Sequence, residues 1–226
     1  MDVTAGRPWV VIPTCGESPH LIKLLHQLCC DVPVTVVINN ITNDREQVQL
    51  MLKCAQAGAD VELWEEPATI YQIWNWAIQQ AQEKAVSTLS LLNDDVWVPD
   101  RSVNWVDGFL RMSPDLGVLG WDYDRPDAKD PASIRYVSGT YRKHGVPGFA
   151  FAVKPAKVPF IDERFHWWGG DDDLMLGAAA MGSKLGVLVG CGVRHYTSTT
   201  ASARPWVYDH VNEDRSLLFS KWGDAW

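Results

Sequence analysis

The sequence contains no apolar run of about 18 residues, and it therefore predicts no helix that spans a membrane. Residues 1–8 lack the basic and apolar regions of a secretory signal peptide, so we expect the protein in the cytoplasm. The net charge of −8 leaves no excess of basic residues for a face that tracks a phosphate backbone. We therefore do not expect nucleic acid as a partner.

The five cysteines are odd in number and include no Cys-x-x-Cys pair. This spacing argues against a zinc knuckle and against a disulfide framework. We expect buried free thiols in a reducing compartment instead. The cysteines are Cys15, Cys29, Cys30, Cys54 and Cys191.

The composition is that of a globular protein, with 46% hydrophobic and 21% charged residues. A chain of 226 residues buries one full core, so we expect a single domain over residues 1–226. The twelve tryptophans are unusual. Indole faces stack on sugar rings and bases, but they also fill cores, and any single Trp is more often a core residue.

Apolar runs and helical stripes alternate along the first half of the chain. The runs predict strands at Trp9–Thr14, Val34–Ile38, Val61–Trp64 and Thr88–Leu92. The stripes predict helices over Leu21–Leu28, Ile70–Ala81 and Asp100–Met112, the first of which would begin at Ser18 and Pro19. They also predict a helix that is capped by Asp44 and has one apolar face, formed by Val48, Met51, Leu52 and Ala55. This alternation predicts an α/β protein with a mostly parallel sheet, whose ligands bind at the carboxyl ends of the strands.

The second half has a looser pattern. It predicts strands at Leu116–Trp121, 146–153 and 185–189, and helices at 171–181 and 208–222. Residues 122–145 are polar and rich in Pro and Asp, and they are long enough to form a functional loop.

Asn93-Asp94-Asp95 comes directly after a buried strand. Carboxylates there would project over the ligand-binding edge of the sheet, and Mg²⁺ or Mn²⁺ takes such oxygens together with substrate phosphates. An Asp-rich turn before a helix explains the tripeptide equally well.

The segment Trp167–Leu174 contains three consecutive carboxylates, at Asp171, Asp172 and Asp173. Acids at a helix start are favoured by the macrodipole, so a charged N-terminus is the simplest interpretation. Mutual repulsion and desolvation would raise at least one pKa, which suits a general base. His195 is a candidate metal ligand only because carboxylates are expected nearby.

The order of these features resembles the GT-A fold of glycosyltransferases, and especially inverting glycosyltransferase family 2, over residues 9–223. The first half matches in Val10–Thr14 (the opening nucleotide-binding strand), Asn39-Asn40 (the end of the second strand), Asn75 (the helix before the metal motif) and Asn93-Asp94-Asp95 (the Asp-x-Asp motif in an Asn-x-Asp form). The second half matches in 148–153 (the acceptor-side strand), 168–173 (the catalytic base), 193–195 (a late His ligand) and 219–223 (the C-terminal ending).

The resemblance implies one GT-A domain with a mostly parallel sheet, flanking helices and a small acceptor-side subregion. Residues 9–121 would bind the nucleotide sugar, and residues 122–226 would bind the acceptor and perform catalysis. The implied reaction moves a sugar from a nucleotide-diphosphate donor to a hydroxyl of a carbohydrate or another acceptor, with inversion. It would need Mn²⁺ or Mg²⁺.

The implied site has four groups of residues. Asp95 and His195 would bind the cation, and Asp172 or the neighbouring Asp171 would be the catalytic base. The donor would contact Pro13, Thr14, Asn39, Asn75, Asn93, Asp94 and Lys221. The acceptor would contact Trp167, Trp168 and Gly170.

Two departures from the family pattern matter. Asn93 replaces the first Asp of the metal motif and is a weaker ligand, so Asp95 must carry more of the cation. The motif expected to contain the catalytic base has no Glu, and it can be aligned with the family in two ways that differ by one residue. Matching the tryptophan and the glycines makes Asp172 the base, whereas matching Asp173-Leu174 makes Asp171 the base.

Two other functions compete with this one. A nucleotidyltransferase also places a divalent cation on an α/β sheet, but its first loop commonly carries Lys or Arg. Here the loop Thr14–Ser18 contains an acid and no base. A non-catalytic carbohydrate-binding module would use tryptophan platforms, yet such modules are usually all-β.

Overall fold

The structure is a computed structural model that describes residues 5–137, 145–196 and 209–223. Its strands are β1 (Pro8–Thr14), β2 (Val34–Ile38), β3 (Asp60–Leu63), β4 (Thr88–Leu92), β5 (Val96–Trp97), β6 (Leu116–Asp122), β7 (Lys129–Val137), β8 (Ala150–Val153), β9 (Lys184–Gly192) and β10 (Arg194–His195). Its helices are α1 (Leu21–Leu28), α2 (Asp44–Gln56), α3 (Ile70–Glu83), α4 (Ser102–Met112), α5 (Gly170–Ala180) and α6 (Val211–Trp222), with a short 3₁₀-helix at Pro155–Lys157.

The central sheet has eight strands in the order β3-β2-β1-β4-β8-β6-β9-β7. Strands β3, β2, β1 and β4 are parallel, and so are β6 and β9. Strand β8 is antiparallel to β4 and β6, and β7 is antiparallel to β9. The predicted α/β architecture, with a mostly parallel sheet flanked by helices, is confirmed. The carboxyl ends of β1, β2 and β4 lie along one edge.

Both faces of this sheet are buried, as the continuous apolar runs require. Along β1, Val10 and Ile12 belong to one core cluster, whereas Trp9 and Val11 belong to the other, because successive side chains point to opposite faces. The first cluster contains the apolar faces of α1 and α4. The second contains those of α3 and α5 and, from α6, Leu218.

The first helix starts later than the sequence predicts. Helix α1 begins at Leu21 with His20 at its N-cap, so the predicted start at Ser18 and Pro19 is wrong. The Ser18 hydroxyl accepts from the His20 backbone N–H at 3.2 Å and donates to the Asp94 carbonyl at 2.8 Å. A tertiary contact to the loop after β4 therefore takes the place of a local cap.

The predicted cap of α2 at Asp44 is wrong, and its predicted apolar face is confirmed only at Met51, which packs against the first core cluster. Asn43 caps the helix by accepting from the backbone of Arg45 and Glu46. Val48 and Leu52 are 52% and 57% exposed, because the helix turns Cys54 toward the core instead.

The predicted polar loop 122–145 contains the nine-residue strand β7. It pairs with β9 at the edge of the sheet, where Pro131 is tolerated and polar residues face solvent. Residues 138–144 lie outside the described part. Strand β8 starts only at Ala150, whereas β9 is longer than predicted. Of the predicted last helix, Tyr208 lies outside the described residues, and α6 covers 211–222.

No helix within the three described ranges is long and apolar enough to cross a bilayer. All five cysteines are free thiols. Cys54 and Cys191 are buried, Cys15 and Cys29 are half-buried and Cys30 is exposed, so the expected burial holds only in part. Burial raises the pKa of Cys54 to about 11 and that of Cys191 to about 12.

We expect the thiols to differ in reactivity, because the thiolate is the nucleophile and buried thiols with raised pKa values stay protonated. In the native protein at pH 8, iodoacetamide should label Cys30 and leave Cys54 and Cys191 unmodified until guanidinium unfolds the chain. Peptide mass spectrometry measures each site, and Cys30→Ser should remove the fast phase. Native labelling of Cys54 at the rate of Cys30 would contradict the described packing.

Candidate functional site

The loop after β4 is tied to the end of β1 by a buried hydrogen bond. The Thr14 hydroxyl donates to Oδ2 of Asp94 at 2.5 Å, and Asp94 is 8% exposed. Burial raises the pKa of Asp94 to about 6, with Asp95 and Glu17 adding to the shift and the Thr14 hydroxyl opposing it. The Asp94 carboxylate therefore points back at β1 and shapes the loop.

Replacement of Thr14 by Val should destabilise the fold by about 1–3 kcal/mol, because it removes a donor from a buried carboxylate. Urea unfolding at pH 7 measures the loss, and Thr42→Val, at an exposed position, is the matched control. Equal unfolding midpoints for the two variants would show that this hydrogen bond contributes nothing.

A two-stranded ribbon of β5 and β10 brings Asp95 and His195 together from distant parts of the chain. His195 is paired with Val96, and the Tyr196 backbone N–H donates to the Asp95 carbonyl at 2.9 Å. His195 Nε2 consequently lies 3.0 Å from Oδ1 of Asp95. The Phe149 ring stacks on the imidazole with centroids 4.2 Å apart, which fixes its orientation.

The contacts of His195 and Asn93 fit a bound cation. His195 Nε2 and Asn93 Oδ1 are buried and have no hydrogen-bond partner among the described residues. The 3.0 Å approach of His195 to Asp95 is thus not an aligned hydrogen bond. Adjacent ligands of an octahedral Mg²⁺, with bonds of about 2.1 Å, lie roughly 3 Å apart, so the spacing suits two ligands of one ion.

The donor set is small. No group of three or more His, Cys, Asp or Glu side chains that would hold a metal occurs in the part of the chain that the structure describes. One carboxylate and one imidazole would leave several coordination positions for water and phosphate oxygens, which is how Mg²⁺ is usually held in nucleotide-binding sites.

The start of α5 presents two carboxylates to a cavity. Asp171 and Asp172 both line it, and Asp172 is 3% exposed. Burial raises the pKa of Asp171, and backbone N–H groups at the helix start partly offset this shift. A Cβ at Gly148 would overlap the Asp171 carboxylate, and a Cβ at Gly170 would lie 2.5 Å from the Tyr71 ring. A side chain at Gly148 or Gly170 would therefore displace Asp171 or Tyr71.

The cavity has a volume of about 500 Å³ and is lined by at least one residue of each acidic motif. Asn93 lines it together with Asp171 and Asp172, and so does Phe149, the ring that stacks on His195. Its other aromatic walls are Tyr71, Trp74, Tyr123, Trp167 and Trp168. This combination of aromatic faces with a few polar groups is typical of a small-molecule site.

Of the seven predicted donor residues only Asn93 lines the cavity, and the predicted ligands Asp95 and His195 and the predicted acceptor residue Gly170 do not line it either. Three of the predicted donor residues are engaged in structural contacts. The Asn39 amide pairs with the backbone of Ala68 at 2.6 and 3.2 Å. The Asn75 amide pairs with the backbone of Ile161 at 2.8 and 2.7 Å. Lys221 forms an ion pair with Asp173 at 2.8 Å. No described contact supports donor binding by these three side chains. Pro13 is half-buried within β1.

No family model matches the sequence, and no curated protein matches it. Solved structures do resemble the fold. TarS 1–349 of S. aureus aligns with a TM-score of 0.60 at 14% identity, covering 83% of this chain and 59% of that one. GalNAc-T7 with UDP, GalNAc and Mn²⁺ aligns with a TM-score of 0.64 at 14% identity, covering 96% of this chain and 50% of that one. The mannosyltransferase PcManGT of Pyrobaculum calidifontis, with GDP-Man and Mn²⁺, aligns with a TM-score of 0.61 at 14% identity, covering 96% of this chain and 65% of that one.

These three proteins are GT-A glycosyltransferases. The chain has the GT-A fold. It spans between 50% and 65% of the length of these three relatives, and at 14% identity the likeness concerns the fold alone. In the structure Asn93 of the first motif lines the same cavity as Asp171 and Asp172 of the second.

Sequence reasoning missed one buried carboxylate near the GT-A cavity. Asp214 of α6 is 1% exposed and accepts from three backbone N–H groups beside the cavity. The sequence signal that could have found it is the helical spacing of Asp214 and Leu218. Because Asp214 precedes Leu218 by one turn, the two lie on the same face of the helix, and Leu218 predicts that this face is buried.

Proposed function

We propose that the chain is a metal-dependent glycosyltransferase that moves a sugar from a nucleotide-diphosphate donor to an acceptor hydroxyl. The observation that carries this proposal is a cavity lined by Asn93, Asp171 and Asp172, whose wall also includes Phe149. The Phe149 ring stacks on His195, and His195 lies 3.0 Å from Asp95. The GT-A relatives whose structures contain UDP or GDP-Man with Mn²⁺ support a nucleotide-sugar donor and a divalent cation.

Asp95 and His195 would hold Mn²⁺ or Mg²⁺, with Asn93 adding an amide oxygen. A divalent cation there would neutralise charge that develops on the departing diphosphate. Residues 9–121 would form the donor half: Thr14 and Asp94 shape the loop at the end of β1, and Pro13 lies in the strand that leads to it. The free thiols are consistent with the cytoplasmic location that we propose for the protein.

The carboxylates of α5 would act on the acceptor, within the half formed by residues 122–226. In the proposed step the acceptor oxygen attacks the anomeric carbon from the face opposite the diphosphate, which gives inversion. Asp172 takes the proton of that hydroxyl, and Asp171, one residue away, is the alternative base. Trp167 and Trp168 offer flat faces on which a sugar ring can stack.

Incubation with a panel of UDP- and GDP-sugars in Mn²⁺ tests the proposal. We expect at least one donor to raise the melting temperature, since a ligand of the native state stabilises it. The same donor should slowly release nucleoside diphosphate, with water as acceptor, and EDTA should stop the release. Formation of a nucleotide sugar from a nucleoside triphosphate and a sugar phosphate would identify a nucleotidyltransferase. Saccharide binding without release of any diphosphate would identify a binding protein.

A further inference from the structure

One face of helix α6 packs against the segment that contains Trp167 and Trp168, two residues that line the cavity. Its residues Asp214, Leu218, Lys221 and Trp222 are spaced i, i+4, i+7 and i+8, so they share that face. They contact consecutive parts of the segment that contains Trp167, Trp168 and the start of α5. The chain thus places its last described helix against the residues expected to act on the acceptor.

Asp214 makes the contacts nearest to the tryptophans. Its Oδ2 accepts from the N–H groups of Trp167 and Trp168, both at 2.8 Å, and its Oδ1 accepts from the N–H of His166 at 3.0 Å. Three charge-assisted hydrogen bonds to one carboxylate hold the backbone of residues 166–168, which belong to no helix or strand. The neighbouring Arg215 places its guanidinium 5.0 Å from the Trp168 ring centroid.

The following turns of α6 hold the start of α5. Leu218, which is fully buried, packs against Gly169. Lys221 Nζ lies 2.8 Å from Asp173, and Trp222 Nε1 donates to the same carboxylate at 2.7 Å. Asp173 is 2% exposed, so these bonds form away from water. Asp173 thereby anchors the helix that presents Asp171 and Asp172.

We propose that Asp214 is a positioning residue for acceptor binding: it holds the Trp167–Trp168 wall of the cavity without touching either reactant. This inference rests on the proposed function. Both tryptophans line the cavity, and the hydrogen bonds of Asp214 to them go to their backbone N–H groups. Loss of these hydrogen bonds should therefore weaken acceptor binding and leave donor binding, at Asp95 and His195, unchanged.

Kinetics of Asp214→Asn separate these two sides. We expect the KM for the acceptor to rise about 10-fold or more, since small misplacements of binding groups are costly. The probes are the methyl glycosides of glucose, galactose, mannose and N-acetylglucosamine, with the most active one used for comparison. Donor hydrolysis by water should stay within twofold of the original rate. Glu213→Gln, one residue away on an exposed position, is the matched control.

Hydrogen exchange tests the hydrogen bonds from residues 166–168 to Asp214 without any need for turnover. In the unmodified protein the amides of residues 166–168 should be protected although their side chains are not fully buried, and Asp214→Asn should release them while Glu213→Gln should not. Rapid exchange of these amides in the unmodified protein would overturn the proposal even if the variant failed to fold. A variant with a lower melting temperature but an unchanged acceptor KM, or with an equal rise in donor KM, would also overturn it. Absence of diphosphate release from every nucleotide sugar would instead reject the proposed function.

Discussion

Asp172→Asn should abolish glycosyl transfer while leaving nucleotide binding nearly intact. The substitution keeps the shape of the side chain but removes its ability to accept a proton, and general-base catalysis contributes roughly 10²–10⁴-fold to rate. We expect kcat for transfer to fall at least about 100-fold. Diphosphate release in the presence of an acceptor measures the rate, and titration with UDP or GDP in Mn²⁺ measures binding.

Asp171→Asn is the informative comparison, because Asp171 lines the same cavity and its pKa is raised by burial. If Asp172 is the base, Asp171→Asn should retain much more activity than Asp172→Asn. The reverse order would move the catalytic role to Asp171. Full activity in both variants would show that neither carboxylate of α5 acts as the general base.

Asp95→Ala should remove the metal-dependent part of nucleotide binding. Asp95 provides the carboxylate that lies 3.0 Å from His195 Nε2, and its loss would leave only the imidazole and an amide of the proposed cation ligands. Since even outer-shell partners of metal ligands contribute about 10–100-fold to metal affinity, we expect at least a 10-fold loss of UDP or GDP affinity in Mn²⁺. Calorimetric titrations with and without EDTA separate the metal-dependent part.

His195→Ala should produce a loss of the same kind, since the two side chains are proposed to share one ion. Asp100→Ala removes an exposed carboxylate from the same region and should bind the nucleotide normally in Mn²⁺. Tight, metal-dependent binding that survives Asp95→Ala would place the cation elsewhere.

Those parts of the fold that follow from local patterns were predictable. The runs that became β1, β2 and β4 are apolar throughout because both faces of the sheet are covered. The position of Asn93 after β4 followed from the same pattern. Strand β7 escaped prediction because it lies at the sheet edge, where polar residues and Pro131 are tolerated.

The site was only partly predictable, because its geometry depends on long-range contacts. The ribbon that joins Asp95 to His195 consists of two short strands, β5 and β10, with too few residues to show a period. The family resemblance, rather than any local pattern, indicated that these two residues meet. Asn39 and Asn75 could not be distinguished from ligand-binding amides by sequence, since their partners are backbone groups of distant loops. The contact between Lys221 and Asp173 was hidden for the same reason.

Anomalous diffraction from crystals grown with Mn²⁺ and a nucleoside diphosphate tests most directly whether the two distant motifs share one ion. We expect a manganese peak bonded to Asp95 and His195, with the diphosphate on its open side and the cavity beyond it. Manganese bound by other residues, or an ordered diphosphate far from Asp95, would contradict it.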